Sequence, residues 1–275
     1  MFRELDKPLD IIEILEGVHH LPIGRRIKYY DKVGSTNDIA YHLAEGGEEE
    51  GTIVIADEQT AGKGRQDRKW SSARFKGIYL SIILRPEVEA LSSPRFTMMA
   101  SVGIVKAIED VARLKAEIKW PNDIMLGTKK VGGILAEIKL VENFVKFAVL
   151  GIGINVNHLD TDFPTEIASL STSLLMESTL AVSREQLVIK LLSHLSTFYP
   201  MALQKDFSPL IAQWKELCPC HNGCMVTVKN GSLTYRGITR GVTNIGELMI
   251  EMESGERVTL ALGDLSIIPG DTKCF

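Results

Sequence analysis

Four short segments carry side chains whose types and spacing suit the handling of an anion. In residues 61–70 (AGKGRQDRKW) two glycines flank Lys63, and Arg65, Arg68 and Lys69 follow closely. Glycines let backbone N–H groups converge on an anion, and a guanidinium offers planar paired donors to phosphate or carboxylate oxygens. The order Gly62-Lys63-Gly64 is not that of a Walker A loop, which needs G-x-x-x-x-G-K-[ST]. A plain solvated charge run is the bland alternative, but a long loop ending in Trp70 between two apolar strands favours function.

The second segment, residues 119–138 (KWPNDIMLGTKKVGGILAEI), leaves a strand with Asn122 and Asp123 at its end and returns through Lys130 to Gly132-Gly133. Glycines within a strand often mark close approach of a ligand or another backbone, which would set Lys130 beside such a site. The third, GIGINVN at 151–157, lacks the third glycine and the following helix of a dinucleotide fingerprint. Its Asn155, at a strand end, is placed to read an adenine-like edge. The fourth, GSTND at 34–38, is explicable as helix capping by Ser35 and Asn37 alone.

Positioning these segments requires a mixed α/β framework. Strands are expected at residues 26–33, 52–56, 78–84, 116–120, 123–126, 130–140 and 144–154, the last four as an antiparallel meander joined by tight turns. Ser35-Thr36-Asn37 opens a helix to Ala44, and Ser93-Pro94 one to about Arg113. A capping box, Ser183-x-x-Gln186, precedes a helix burying Leu187, Leu191, Leu195 and Phe198, and another helix runs from Ser208 to about Leu217. Beyond His221 the texture changes to short strands at 225–229, 233–239, 248–252, 257–261 and 265–268, which predicts a small β-barrel. The expected division is therefore 1–220 and 221–275.

A chain of 275 residues, 45% hydrophobic and 24% charged, is ordinary for a folded protein. Its net charge of −4 gives no global attraction to nucleic acid or anionic membrane, so any cationic function is local. No apolar run reaches membrane-spanning length and the N-terminus is acidic where a signal peptide is apolar; the cytoplasm is the expected compartment. Cys218, Cys220 and Cys224 cluster beside His221, but no second ligand pair follows at zinc-site spacing, so they read as reduced thiols of a connector.

Together, and in this order, GSTN, the Gln59-to-Trp70 loop, KWPND, K-x-G-G-I-L and G-I-G-I-N-V-N resemble the biotin protein ligases from about Tyr30 to the C-terminus. The resemblance implies an α+β fold: a mixed sheet with flanking helices, like class II synthetases and lipoate ligases, followed by an SH3-like barrel. It implies ATP-dependent activation of biotin as biotinyl-5′-AMP and transfer to a lysine of a biotin carboxyl carrier protein, with Mg2+ as the ATP counter-ion. Ser35, Thr36, Asn37 and Gln59 would bind the ureido ring, with Gly132 and Gly133 also against biotin. Lys63, Gly64 and Arg65 would close over the carboxylate and phosphate. Trp70 would pack on adenine and Asn155 read its amino group. Lys130 would lie on the carboxylate and α-phosphate, making Lys130 and Arg65 the catalytic pair. Asn122 would contact the phosphates, and Asp123 the metal through them.

Many family members carry glycine at the position of Asp67 and a basic residue at that of Gln66, so the second half of this loop is expected to depart from the family geometry. Members that repress transcription carry a DNA-reading domain of about sixty residues before the catalytic unit. The thirty-four residues before Ser35 are not basic, which predicts the short class without DNA binding. Family members pair through a sheet edge, so a homodimer is a further expectation. A lipoate-protein ligase acting on a lipoyl carrier is the alternative function. A biotin-sensing regulator and a peptide-binding adaptor account for fewer of the motifs.

Overall fold

The computed structural model describes residues 6–89, 94–261 and 263–267. Helix α1 (Ile11–Val18) is followed by β1 (Ile27–Tyr30), α2 (Thr36–Glu45), β2 (Ile53–Ala56), β3 (Gly77–Leu84) and α3 (Pro94–Ala112). The meander β4 (Glu117–Lys119), β5 (Asp123–Leu126), β6 (Lys129–Val141) and β7 (Phe144–Asn155) comes next. Short helices α4 (Thr165–Ala168) and α5 (Leu174–Ser178) precede the long α6 (Arg184–Leu203) and α7 (Ser208–Leu217). These elements form a seven-stranded mixed sheet in the order β1-β2-β3-β7-β6-β5-β4. Only β1 and β2, joined across α2, pair in parallel; the meander is antiparallel as its tight turns require.

Alternation along β3 and β7 assigns the two faces. Ile78, Leu80, Ile82 and Leu84, with Ala148, Leu150, Ile152 and Ile154, join the large core beneath α3 and α6. Ile83, Phe147 and Val149 instead pack with Val54 under Ala40 and Ala44 of α2. Further along that second face β7 gives up its side chains: Ser81 pairs with Gly151, and Gly153 pairs with both Tyr79 and Gly133. A β-sheet face with its side chains removed is a trench, and this one begins where α2 begins.

The expected cap at Ser183 is half made: its Oγ accepts from Gln186 N, but Gln186 Nε2 reaches out to Glu13 rather than back. The N-terminal segment, absent from the expected elements, is helical because Asp10 caps α1 by accepting from Ile12 N and Glu13 N. It is tied down by a buried pair: Arg184 Nη1 lies 2.6 Å from Asp57 Oδ1, and Leu9 N donates to Asp57 Oδ2. Ser93 lies outside the described residues, as do Ile268 and Cys274.

Strands β8 (Asn222–Asn230), β9 (Leu233–Val242), β10 (Leu248–Met252), β11 (Arg257–Leu260) and β12 (Asp264–Ile267) form a separate five-stranded antiparallel sheet, in the order β11-β10-β9-β8-β12. That is the strand content expected of an SH3-like unit; no pairing closes β11 on β12 among the described residues. The sheets separate near His221, yet packing does not: Val226, Val228, Leu248 and Leu265 belong to the same core as Trp120 and Trp214. Cys218 and Cys220 are free, buried thiols with Sγ atoms 3.6 Å apart. Cys224 is disulfide-bonded, so the expectation of reduced thiols fails there; spacing argues against a metal but does not set the redox state of each sulfur. Among the described residues no helix is long and apolar enough to cross a membrane.

Candidate functional site

A cavity of about 550 Å³ occupies the trench. Of the residues singled out from sequence, Ser35, Thr36, Asn37, Gln59, Lys63, Gly64, Arg65, Trp70, Asn122, Asp123, Lys130, Gly133 and Asn155 all line it. Gly132 does not. Alternation turns it to the other face, where an added β-carbon would meet Ile124 and the Gly153 carbonyl oxygen. Gly133 faces the cavity, against Trp70 and Lys130.

One end of the cavity is built of amides and hydroxyls, backed by the Glu137 carboxylate. Gln59 Oε1 accepts from Thr36 N (2.8 Å) and Thr36 Oγ1 (3.1 Å), while Gln59 Nε2 donates to Ser72 Oγ at 3.0 Å. Asn37 Nδ2 donates to Glu137 Oε2 at 2.7 Å, and Ser81 Oγ lies 2.6 Å from Asn37 Oδ1. Capping therefore does not account for this segment. Ser35 stands at the N-cap of α2 but its side chain makes no cap bond, and Asn37 is committed to β3 and β6. The sequence reading missed Ser81, Glu137, Gly151 and Ser72. The visible signal was the alternation Phe147, Val149, Gly151, Gly153, a strand face that loses its side chains.

The other end is cationic. Arg65 and Lys130 make it so; Lys63 stays by the first turn of α2, where it ion-pairs with Asp38 and lies 3.9 Å from Glu137, and hydrogen bonding to Asp38 raises its pKa. Arg65 Nη1 donates to Asn122 Oδ1 at 3.0 Å; burial lowers its pKa, with Asp264 and Asp123 acting in the opposite sense. Lys130 Nζ sits 2.5 Å from Asp123 Oδ1 and 5.4 Å from the centre of the Trp70 ring. The Lys130 backbone is held by Leu170 O and Thr172 N, each at 2.9 Å, from the segment before α5. Asn155 Nδ2 is fixed on Thr172 O at 3.0 Å, which leaves its amide oxygen as the acceptor facing a ligand.

Trp70 explains the two inner glycines. A β-carbon at 153 would stand 2.5 Å from Trp70 Cε2, and one at 133 would stand 3.1 Å from its Cζ3. The indole thus rests on this Gly133–Gly153 pair, and its buried Nε1 has no hydrogen-bond partner among the described residues. At the tip of the loop Gln66 and Asp67 have φ of 54° and 59°. The left-handed region is where glycine costs least, and Asp is among the better-tolerated alternatives there.

The arrangement can grip an elongated acid: amide and hydroxyl groups for a polar head, cations for a carboxylate or phosphate, an indole for a flat ring. Among the described residues no group of three or more His, Cys, Asp or Glu side chains could hold a metal ion.

A family model described as the biotin/lipoate A/B protein ligase family matches residues 29–155. The bifunctional ligase/repressor BirA of Bacillus spizizenii is 35% identical over 256 residues, spanning 92% of this chain and 78% of the relative. A biotin--[acetyl-CoA-carboxylase] ligase of Mycobacterium tuberculosis is 28% identical, with 88% of each chain covered. Among solved structures, the biotin protein ligase of Aquifex aeolicus in complex with biotin and ATP superposes with a TM-score of 0.74. It is 28% identical, with 89% of this chain and 99% of that one covered.

Proposed function

This chain belongs to the biotin/lipoate A/B protein ligase family, and from that premise we propose that it joins biotin to a lysine of a biotin carboxyl carrier domain by way of biotinyl-5′-AMP. The observation that carries this is the polarity of this cavity. Gln59 and Thr36 form its hydrogen-bonding end, Arg65 and Lys130 its cationic end beside Asn122 and Asp123, and Lys63 stands nearer the former, paired with Asp38. A ureido ring bearing an acid tail matches that polarity; a dithiolane gives Gln59 nothing to bond.

In the first step a biotin carboxylate oxygen attacks the α-phosphorus of ATP, the bond to the bridging oxygen breaks, and pyrophosphate leaves with the electron pair. Lys130 and Arg65 neutralise the charge that gathers on the phosphoryl oxygens, and no side-chain nucleophile is needed. In the second step the neutral ε-amine of the carrier lysine attacks the acyl carbon, the acyl carbon–oxygen bond to the phosphate breaks, AMP departs with the electron pair, and the amine loses a proton to solvent. The mixed anhydride must be shielded from water between the steps, the task assigned here to residues 61–70 with Trp70 on the adenine. Asn155 accepts from the adenine amino group, and Ser35, Thr36, Asn37, Gln59 and Gly133 surround biotin.

A Mg2+ ion would supply charge neutralisation on the phosphates. The Asp123 carboxylate is paired with Lys130 and the Asn122 amide oxygen accepts from Arg65, so the chain offers such an ion little of its own and ATP and water would hold it. A biotin carboxyl carrier domain is then the protein partner, the cytoplasm the compartment, and a homodimer along an exposed sheet edge the quaternary arrangement.

Incubating the chain with Mg-ATP, a carrier domain and either biotin or lipoate, followed by mass spectrometry of the carrier, tests the assignment. Biotinylation without lipoylation is expected. Lipoylation alone, or no modification with either acid, refutes it.

A further inference from the structure

The loop of residues 61–70 is held from outside as much as from within. Its own backbone bonds are Gly64 N to Arg68 O, Arg68 N to Arg65 O and Trp70 N to Gly62 O, and its tip carries the left-handed Gln66 and Asp67. Two further ties cross to the C-terminal sheet. The Arg68 guanidinium ion-pairs with the carboxylate of Asp264, the first residue of β12, and Arg65 Nη1 donates to the Gly263 carbonyl at 3.3 Å. Gly263 is built for close approach: a β-carbon there would stand 2.5 Å from Val228 Cγ1 and 3.5 Å from Trp120 Cζ3. The start of β12 is thereby pressed onto the Trp-Pro-Asn-Asp segment, and Lys229, Asp264, Leu265 and Ser266 reach the cavity.

We propose that the C-terminal sheet is a latch for this loop, with Asp264 the positioning residue that holds Arg68 and thereby keeps Arg65 over the cavity. The sheet then contributes to the reaction without touching biotin. Its carboxylate biases the loop toward the closed arrangement, and an order–disorder switch of a lid sets how long a reactive intermediate is retained. Half-exposed ion pairs are weak and screened by salt, which suits a latch that must also open. The catalytic half of this inference rests on the ligase assignment; the structural half does not.

The test is hydrogen exchange of peptides covering residues 61–70 in the full chain without substrates, at low and high salt, alongside the rate at which preformed biotinyl-5′-AMP escapes. Asp264→Asn preserves shape and removes the charge. It is expected to speed both loop exchange and adenylate escape by about fivefold, the scale of one partly exposed ion pair, and to reduce their salt dependence to the part set by Lys63 and Asp38. Asp264→Glu should restore both. Gly263→Ala, whose added methyl would collide with Val228 of β8 and shift the start of β12, should loosen the loop while leaving the charge in place. Unchanged loop exchange in Asp264→Asn and Gly263→Ala overturns the latch, and so does slower adenylate escape in Asp264→Asn, which would mean that Asp264 holds Arg68 away from the phosphate. If the unaltered chain forms no adenylate, the ligase assignment fails while loop exchange still decides the latch.

Discussion

Asn37 lies directly over Gly151, so that any β-carbon at 151 would overlap the Asn37 amide oxygen. That oxygen is 2.6 Å from Ser81 Oγ, and Ser81 is the cross-strand partner of Gly151. The first turn of α2 is therefore seated on two neighbouring strands through one amide, and the seat exists because β7 gives up its side chain there. Glu137 completes it from β6.

Gly151→Ala should dislodge this amide. The obstructing atom ends a short side chain, but moving it breaks bonds to Ser81 and Glu137, so the cost is that of overpacking plus lost polar pairing, about 1–3 kcal/mol. Calorimetric titration with biotin is expected to show affinity weakened by about tenfold or more, on the scale of those energies. Affinity equal to that of the unaltered chain would mean that Asn37 does not shape the biotin end.

Gly153→Ala acts on the other half of the trench. The indole of Trp70 is rigid and already in contact with the strand, so a methyl at 153 must lift the ring. The expected signature is selective: the KM for ATP rises several-fold, consistent with a displaced stacking partner, while biotin affinity is kept. A parallel loss of both would show that the two glycines serve one undivided pocket.

How much of this was legible beforehand differs between elements. The meander from 116 to 155 was readable because turn residues and β-branched runs alternate without ambiguity, but the Lys130–Asp123 pair was not, since the register sets Lys130 opposite Met125 and a bulge intervenes before Asp123. The cationic loop was readable from composition. What could not be read was partnership. Nothing local tells that Lys63 will pair with Asp38, that Arg68 will meet Asp264 nearly two hundred residues on, or that Asp57 and Arg184 will be buried together. Nor did local rules warn that Ser35 would make no cap bond, or that Asn37, a good capping residue, would be drawn to β3 and β6 instead. Gly132 and Gly133 look identical in sequence and are separated only by which face of β6 each occupies.

Lys130→Ala and Arg65→Ala should fail in different ways. Lys130 is strapped at its backbone by Leu170 and Thr172 and points beside Asp123, a fixed position suited to a charge that develops at the phosphoryl group. Removing such a preorganised cation costs about a hundredfold to a thousandfold in rate. Pyrophosphate release with biotin and ATP alone should therefore collapse for Lys130→Ala. Arg65 comes from the loop, and its replacement should still give adenylate but let it escape, measured as free biotinyl-5′-AMP in the filtrate. Near-normal pyrophosphate release by Lys130→Ala would remove it from the chemistry.

Arg184→Met tests what supports the loop from behind. Asp57 is fully buried, takes Arg184 on one oxygen and Tyr29 on the other, and its carbonyl accepts from Phe75 N where the long connection returns. Stranding that carboxylate should cost about 3–5 kcal/mol in urea unfolding, whereas replacing both partners by apolar residues should cost less. Equal losses for the single and double replacements would mean that shape, not charge, matters here.

His158 should give the protein an acid-sensitive component of stability. Its ring is fully buried, stacked on Phe163 with centroids 5.1 Å apart, and within 3.2 Å of the Tyr79 hydroxyl. Burial, with Lys76 and Arg184 nearby, lowers its pKa to about 3. The unfolded chain then binds a proton that the folded chain refuses, so stability is full above the unfolded value near 6.5 and falls as pH drops toward about 3. Between pH 7 and 5 the loss is limited by the unfolded-state titration alone and comes to about 2 kcal/mol. Stopping at pH 5 keeps the comparison above the range where Glu48, held down by Lys28, begins to contribute. Urea midpoints of the unaltered chain and of His158→Gln at both pH values make the measurement. The substitution is expected to lower stability at pH 7 and to flatten the decline toward pH 5; a decline of equal slope in both proteins would place the acid sensitivity elsewhere.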